Sequence, residues 1–174
     1  MKVIVLIDFF NKALKWGLAG LMLGMLICTL WQVVVRFLLT SFGLPISAPW
    51  TEELARYFMI WIIFLGGAIA CRHAQLISLE IIVHRLPASI GKSVRYLALM
   101  VCVAFFALMA NLGLEFLEFG SIETSPVMGI PKNWVYWAMP VGFAVMIMNT
   151  LCLLLESWIN RADIRYAGQS QEVQ

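Results

Sequence analysis

The sequence predicts an all-α integral membrane protein with four transmembrane helices. Hydrophobic residues make up 62% of the 174-residue chain and charged residues only 13%, whereas soluble domains are roughly half apolar and a quarter charged. The apolar residues are also gathered into four long runs that are separated by charged residues. Because a helix needs about 20 mostly apolar residues to cross the hydrocarbon core, each run supplies most or all of one transmembrane span.

The limits of the spans follow from the charges around each run. The first run begins after Lys15 and is long enough to cross a bilayer without further residues. The second run lies between Arg56 and Arg72 and is shorter, so its helix must include the charged turn before it. The four predicted spans are about residues 16–39, 51–72, 92–117 and 133–158, all within one membrane domain of residues 1–174.

Two amphipathic segments are expected beside the spans. Apolar residues at helical spacing before Lys15 predict a lead-in helix that lies along the membrane surface before the chain turns inward. Between the second and third spans, residues 74–86 carry one apolar stripe opposite polar residues and end at Pro87. This second pattern predicts an interfacial helix.

The distribution of lysine and arginine predicts that both termini are cytoplasmic. Positively charged residues favour the cytoplasmic side of a membrane. In the connection between the third and fourth spans, Lys132 is the only basic residue and the other charged residues are acidic. Nine basic residues fall in the terminal segments and in the connection between the second and third spans: Lys2, Lys12, Lys15, Arg72, Arg85, Lys92, Arg95, Arg161 and Arg165.

Four charged residues gather where the first span ends and the second begins: Arg36, Glu52, Glu53 and Arg56. Charges at membrane depth are costly, so such a cluster calls for partners. Both glutamates lie within one helical turn of Arg56, and Arg36 approaches from the neighbouring helix. The cluster is interpreted either as a structural clamp or as a contact with a partner protein.

Small and aromatic residues indicate how the helices pack and where they are anchored. Small residues allow close approach of membrane helices, and tryptophans and basic residues favour the interface. The candidate packing residues are Gly20, Gly24, Gly66 and Gly67. The candidate interfacial anchors are Trp50, Arg72, His73, Trp134 and Trp137. Hydrogen bonds between helices are expected from Gln32, Asn111, Asn149 and Thr150, and Pro140 predicts a kink in the fourth span.

The sequence offers no catalytic or metal-binding residues. Its four cysteines are far apart and its two histidines lie at one membrane surface, so neither a thiol pair, a zinc site nor a haem between spans is expected. The net charge of +2 is too small to favour nucleic acid as a partner. We therefore expect a protein that is not an enzyme and binds no cofactor itself.

Three parts of the sequence, taken in order, resemble the DctQ-type small membrane subunit of tripartite ATP-independent periplasmic (TRAP) transporters. The first is the end of span one at Arg36. The second is the block PWTEELARYFMIWIIFLGGAIACRHAQLISLEII, and the third is SPVMGIPKNWVYWAMPVGF. The most specific elements are the Glu52–Glu53 pair after Pro49 and Trp50, the Gly66–Gly67 pair, Arg72 with His73, and the Gly-Ile-Pro turn before Trp134. The resemblance covers most of residues 16–158.

This resemblance implies a scaffolding function in the bacterial inner membrane. In that family the small subunit pairs with a much larger membrane subunit of the DctM type, which holds the substrate and Na⁺ sites, and we expect this chain to anchor it. A periplasmic substrate-binding protein of the DctP type delivers an organic acid, such as a C4-dicarboxylate or sialic acid. Sodium is thus expected at the partner subunit, and the lipid bilayer is the remaining partner of this chain.

Two further interpretations remain open from the residues themselves. The acidic residues at the periplasmic ends could give the binding protein a docking edge, which would comprise Glu52, Glu115, Glu118, Glu123 and Lys132. The alternative function is a small, self-sufficient homodimeric four-helix exporter, although the span midplanes lack the carboxylate such carriers use. A quinone-linked thiol oxidase is disfavoured by the absence of paired thiols.

Overall fold

The computed structural model describes residues 2–39, 41–42, 48–73 and 87–159, and these residues are almost entirely helical. The helices are α1 (Lys2–Val33), α2 (Pro49–Arg72), α3 (Ala88–Ile122), α4 (Asn133–Tyr136) and α5 (Ala138–Ile159). A π-helical segment, Val34–Leu39, continues α1. The predicted interfacial helix of residues 74–86 lies outside the described residues.

Four helical stretches are long and apolar enough to cross a membrane: Ile4–Leu39, Pro49–Arg72, Ile90–Ile122 and Asn133–Trp158. They confirm the predicted fold class of an all-α protein with four spans. The second stretch begins with Pro49 in the first turn of α2, where the missing amide proton costs no helical hydrogen bond. The charged turn before Arg56 is therefore part of the second span, as its short uncharged run required.

The prediction of a separate lead-in helix on the membrane surface is wrong. Residues 2–33 form one uninterrupted helix, and Asn11, in its first third, is buried against the fourth span. Of the apolar residues that suggested an interfacial helix, Ile7 and Leu14 are half-buried and continue the face that packs on α2, whereas Phe10 is exposed. Lys12 and Lys15 are both exposed and do not interrupt this face.

The face of α1 that packs on α2 has a regular spacing of three and four residues. Every position in this series is buried or half-buried: Ile7, Asn11, Leu14, Leu18, Leu21, Met25, Cys28, Gln32 and Val35. A period of 3.5 residues keeps one stripe facing a neighbour along the whole length of a left-handed helix pair. The two helices therefore remain in contact from one end of α2 to the other.

The four spans are arranged around the pair of α2 and α5. Helix α1 packs along α2, α3 packs along α5, and within the described residues α1 and α3 do not pack on each other. An aromatic cluster of Phe64, Phe106 and Phe143 lies at the centre, with Phe64 and Phe143 in edge-to-face contact at 5.5 Å between ring centroids. The arrangement is therefore open, with α1 and α3 as its outer helices.

The fourth span is interrupted at Trp137, between α4 and α5. Pro140 has no amide proton to give to the carbonyl of Tyr136, so the helical ladder loses one bond at this point. The amides of Trp137 and Val141 continue the ladder on either side, bonding to Asn133 and Trp137 respectively. The break thus lies within one turn of the proline that predicted a kink.

Candidate functional site

One end of the molecule is held together by an ion triad, which we call the Arg72 triad. Arg72, the last residue of α2, has a side chain that is only 4% exposed. Its guanidinium donates to Asp8 of α1 at 2.8 Å and 3.0 Å and to Glu156 of α5 at 2.7 Å. A buried arginine is tolerated in a membrane protein when its donors are satisfied in this way. Three spans are therefore tied by one side chain.

Two residues expected as interfacial anchors lie at this end. Arg72 is engaged inside the protein rather than at its surface. His73 follows it, and the Nε2 atom of its ring lies 3.0 Å from Nζ of Lys15. The histidine thus gives α1 and α2 a second polar contact beside the triad.

A pair of asparagines links the same three spans deeper in the membrane. Asn11 of α1 and Asn149 of α5 exchange hydrogen bonds, Nδ2 of Asn11 donating at 2.7 Å and Nδ2 of Asn149 donating at 2.9 Å. Asn149 also donates to the carbonyl of Ala68 in α2 at 2.7 Å. Because Asn149 is fully buried, this arrangement satisfies amide groups that lipid could not.

At the opposite end, the predicted charge cluster is divided between two structures. Glu52 forms an ion pair with Arg56 and accepts a hydrogen bond from Gln32 of α1 at 3.1 Å. Arg36, at the π-helical end of α1, is exposed and lies near enough to act on Glu52 through its charge. This half of the cluster joins the first two spans, and both members of its ion pair are at least half exposed.

Glu53 turns away from Arg56 and holds the connection between the third and fourth spans. Its carboxylate accepts hydrogen bonds from the hydroxyl of Tyr57 at 2.9 Å, from the hydroxyl of Ser125, and from the amide of Met128 at 3.2 Å. We call residues 123–132 the Glu53 loop, and this end of the molecule the Glu53 end. A single carboxylate of α2 therefore fixes the centre of a loop far away in sequence.

The Glu53 loop is also closed by its own contacts. The amides of Ser125 and Lys132 donate to the carbonyls of Ile130 and Glu123 at 2.8 Å and 3.0 Å. Gly129 has a φ of 64°, in the left-handed region that glycine adopts without strain. Across the base, Nζ of Lys132 donates to Glu123 at 3.0 Å, which lowers the pKa of Glu123 and raises that of Lys132. The turn is fixed at both its centre and its base.

The four candidate packing glycines differ in their surroundings. A Cβ atom at Gly24 would lie 3.1 Å from the ring of Phe58, and one at Gly67 would lie 2.6 Å from Cε of Met146. At Gly66 the nearest atom, Cδ2 of Leu18, is 3.8 Å away, and at Gly20 no described residue lies within 4 Å. Three further glycines, outside the predicted set, also lie close to side chains of neighbouring helices.

Gly113, Gly120 and Gly142 also approach neighbouring side chains closely, although the sequence did not predict them as packing residues. A Cβ atom at Gly113 would meet Pro140, one at Gly120 would meet the ring of Tyr136, and one at Gly142 would lie 2.5 Å from Cβ of Phe64. These contacts join α5, with the short α4, to α3 and α2. Each of the three glycines stands alone, without the Gly-x-x-x-Gly spacing by which such contacts are usually recognised.

The three candidate tryptophan anchors lie at the surface, whereas the polar residues that were expected to link helices differ in burial. Trp50, Trp134 and Trp137 are all exposed and close to the Glu53 end, where an interfacial belt would place them. Of the residues expected to link helices, Gln32 and Asn149 do so. Nδ2 of Asn111 instead bonds to a carbonyl of its own helix, whereas Oγ1 of Thr150 bonds within its own helix and the Thr150 side chain also bonds with that of Cys71 in α2. No group of metal-ligating side chains occurs in the part of the chain that the structure describes.

Taken together, the fold and these contacts define a multi-pass helical membrane protein whose polar residues hold its own spans and loop in place. The profile of the family described as tripartite ATP-independent periplasmic transporters, DctQ component, matches residues 25–160. The chain belongs to this family and is a TRAP transporter small permease subunit of the inner membrane.

Individual relatives agree with this assignment. The chain is 28% identical over 138 residues to a putative TRAP transporter small permease protein of Haemophilus influenzae, covering 79% of this chain and 82% of that protein. It is also 28% identical over 132 residues to the sialic acid TRAP transporter small permease protein SiaQ of Vibrio cholerae, covering 75% and 73%. These relatives are permease subunits rather than enzymes, which confirms the expectation that this chain is not an enzyme.

A third relative is much longer than this chain. The isethionate TRAP transporter permease protein DctMQ of Oleidesulfovibrio alaskensis is 32% identical over 108 residues, which cover 60% of this chain but only 17% of that protein. Most of that relative therefore lies outside the region to which this chain is similar.

Proposed function

We propose that this chain anchors a large membrane subunit of the DctM type and keeps the static part of that subunit fixed in the bilayer while substrate crosses. The observation that carries the proposal is the Arg72 triad, which ties α1, α2 and α5 at one end of the molecule. The Glu53 loop is fastened at the other end. A subunit that is fixed internally at both ends is suited to holding a partner rather than to moving.

The remaining parts of the proposal come from the family. A periplasmic binding protein of the DctP type would deliver the substrate, and Na⁺ would bind to the large subunit rather than to this chain. The relatives carry names that refer to sialic acid and isethionate, both small organic anions. We accordingly propose uptake of an organic acid coupled to sodium, with both termini of this chain in the cytoplasm because its basic residues cluster on that side.

The proposal is tested by reconstituting transport. The large subunit, purified with or without this chain, is placed in liposomes with the binding protein and a sodium gradient, and uptake of labelled organic acid is measured. We expect uptake only when this chain is present, since the large subunit would otherwise lack its anchor. Full uptake by the large subunit alone would overturn the proposal. Uptake that persists without a sodium gradient would remove the sodium coupling only.

A further inference from the structure

The outward face of α3 carries a regular stripe of exposed residues, which we call the α3 stripe. Helix α3 packs on α5 and α4, and this face is the one whose side chains are exposed. Alternate spacings of four and three residues run the length of the stripe: Leu97, Val101, Ala104, Leu108, Asn111, Glu115, Glu118 and Ile122. All eight side chains are exposed. A series of this kind is the pattern by which one helix receives a second helix along a left-handed crossing.

The stripe changes in chemistry toward the Glu53 end. Its first four residues are apolar, and its next three are Asn111, Glu115 and Glu118. Gly113 and Gly120 contact Pro140 and Tyr136 of the fourth span, so the two glutamates lie level with the segment between those residues. They therefore belong to the membrane-spanning part of the protein, close to Trp134 and Trp137. Beside these interfacial tryptophans, an exposed carboxylate can accept hydrogen bonds from, or pair with, a basic side chain of a neighbouring helix.

A second copy of this chain is not a suitable binding partner for the stripe. In a symmetric dimer of two copies with the same orientation in the membrane, the same surface patch meets itself. Glu115 and Glu118 would then face the same carboxylates of the other copy in a medium of low dielectric constant, where like charges repel strongly. The partner that binds the stripe must instead carry hydrogen-bond donors or positive charge opposite Glu115 and Glu118.

We propose that the α3 stripe is the surface that binds a transmembrane helix of the large subunit. Basic or hydrogen-bond-donating side chains of that helix contact Glu115 and Glu118. This inference rests on the proposed function and names the surface through which anchoring takes place. The stripe spans 26 residues, or about 39 Å of helix, which is enough to cross a bilayer. In the DctMQ relative, most of the polypeptide lies beyond the region matched by this chain.

Co-purification of the two subunits tests the inference. This chain carries an affinity tag, the large subunit carries none, and the amount of large subunit recovered from detergent-solubilised membranes is measured. Leu108→Trp places a bulky ring in the stripe, and Leu23→Trp is the matched control on the outer face of α1. Leu108 and Leu23 are similarly exposed, at 55% and 59%, so neither change disturbs the packing of this chain.

We expect Leu108→Trp to reduce recovery roughly three- to tenfold and Leu23→Trp to leave it unchanged, because interhelical contacts in membranes are individually modest. The double variant Glu115→Gln with Glu118→Gln should reduce recovery, and Glu115→Lys with Glu118→Lys should reduce it further. Equal recovery with all stripe variants, or equal loss with Leu23→Trp, would overturn the inference.

Two further outcomes separate this inference from the proposed function. If the wild-type chain recovers no large subunit at all, the anchoring function itself fails. If the wild-type chain alone is a dimer in detergent and Leu108→Trp makes it a monomer, the stripe is covered by a second copy and the inference fails, whatever the transport assay shows. The monodispersity of each variant on a sizing column is measured alongside, and it should match that of the wild type.

Discussion

Arg72 is the residue on which three spans depend at one end of the molecule. Its guanidinium faces two carboxylates that come from helices distant in sequence, and its own side chain is almost completely buried. Removing the arginine would leave Asp8 and Glu156 as neighbouring like charges with no cation between them. Removing Arg72 would therefore cost more folding stability than breaking an ordinary surface ion pair.

Arg72→Gln should lower the stability of the purified subunit toward the lower end of the roughly 3–5 kcal/mol seen when one member of a buried pair is removed, because Asp8 and Glu156 keep some solvent access. Arg56→Gln is the matched control, since it breaks an ion pair with Glu52 that is largely exposed and worth about 0–1 kcal/mol. Thermal denaturation in detergent measures both variants.

Adding Asp8→Asn and Glu156→Gln to the Arg72→Gln variant should restore part of the lost stability, because the two like charges are then removed. Equal destabilisation by Arg72→Gln and Arg56→Gln would show that the triad contributes no more than a surface pair.

Part of this residue-level structure could be predicted from the sequence. The cost of charge at membrane depth identified Glu52 and Arg56 as partners, which lie one turn apart on the same helix. The partners of Arg72 could not be found in this way, because Asp8 and Glu156 lie in other helices and their proximity depends on how those helices pack. The same helical spacing pairs Glu53 with Arg56, but two donors of the Glu53 loop and the hydroxyl of Tyr57 compete for its carboxylate.

Among the elements, the Glu53 loop owes its shape to both the backbone and a distant side chain. Its left-handed glycine and its internal hydrogen bonds define the turn, and the carboxylate of α2 holds the centre of the turn against the spans. A loop fastened in this way is pre-formed before any partner binds to it.

Glu53→Ala should release the loop without unfolding the helices. We expect hydrogen exchange at the amide of Met128, which bonds directly to Glu53, to accelerate at least about tenfold, since a hydrogen bond to a charged group contributes roughly 1.5–3 kcal/mol. Glu52→Ala, one residue away, is the control and should leave exchange in the loop unchanged, because Glu52 contacts Arg56 and Gln32 instead.

Exchange is measured by mass spectrometry on peptides that cover residues 123–132. Similar acceleration in both variants would mean that negative charge at this end, rather than the contacts of Glu53, holds the loop.

The extent of α1 shows where sequence patterns fall short for a whole element. A run free of charges sets the start of the first span near Trp16, because exposed charge is costly in lipid. In the structure the helix continues without a break back to Lys2, and the polar residues Asp8 and Asn11 bond to other spans. Hydropathy scores a residue without reference to its partner, so a polar residue satisfied inside the protein is read as a boundary.

At the scale of the whole molecule, the open arrangement separates α1 from α3. A closed four-helix bundle would bring every span into contact with two others around a common core. Here the pair of α2 and α5 provides the contacts, and the outer helices each rest on one of these two over most of their length.

Cross-linking of cysteine pairs should reveal this arrangement. In a variant without the four native cysteines, the pair Gly113→Cys with Met139→Cys should cross-link α3 to the start of α5, because a Cβ atom at Gly113 would lie 3.2 Å from Cγ of Met139. A pair that joins α1 to α3, such as Leu21→Cys with Ala110→Cys, should not. Mobility on denaturing gels measures the products, and efficient cross-linking of both pairs would indicate a closed bundle.

The openness of the structure also bears on how freely such a sequence can diverge. Exposed large hydrophobic residues far outnumber buried ones along the described helices. A position that faces lipid requires an apolar side chain but not one particular shape. Selection on side-chain volume then acts on few sites, such as Asn149, Ala68 and Gly142, where neighbouring atoms leave no room for change. A family built in this way can keep its architecture while its members share only 28% of their residues, as this chain does with two of its relatives.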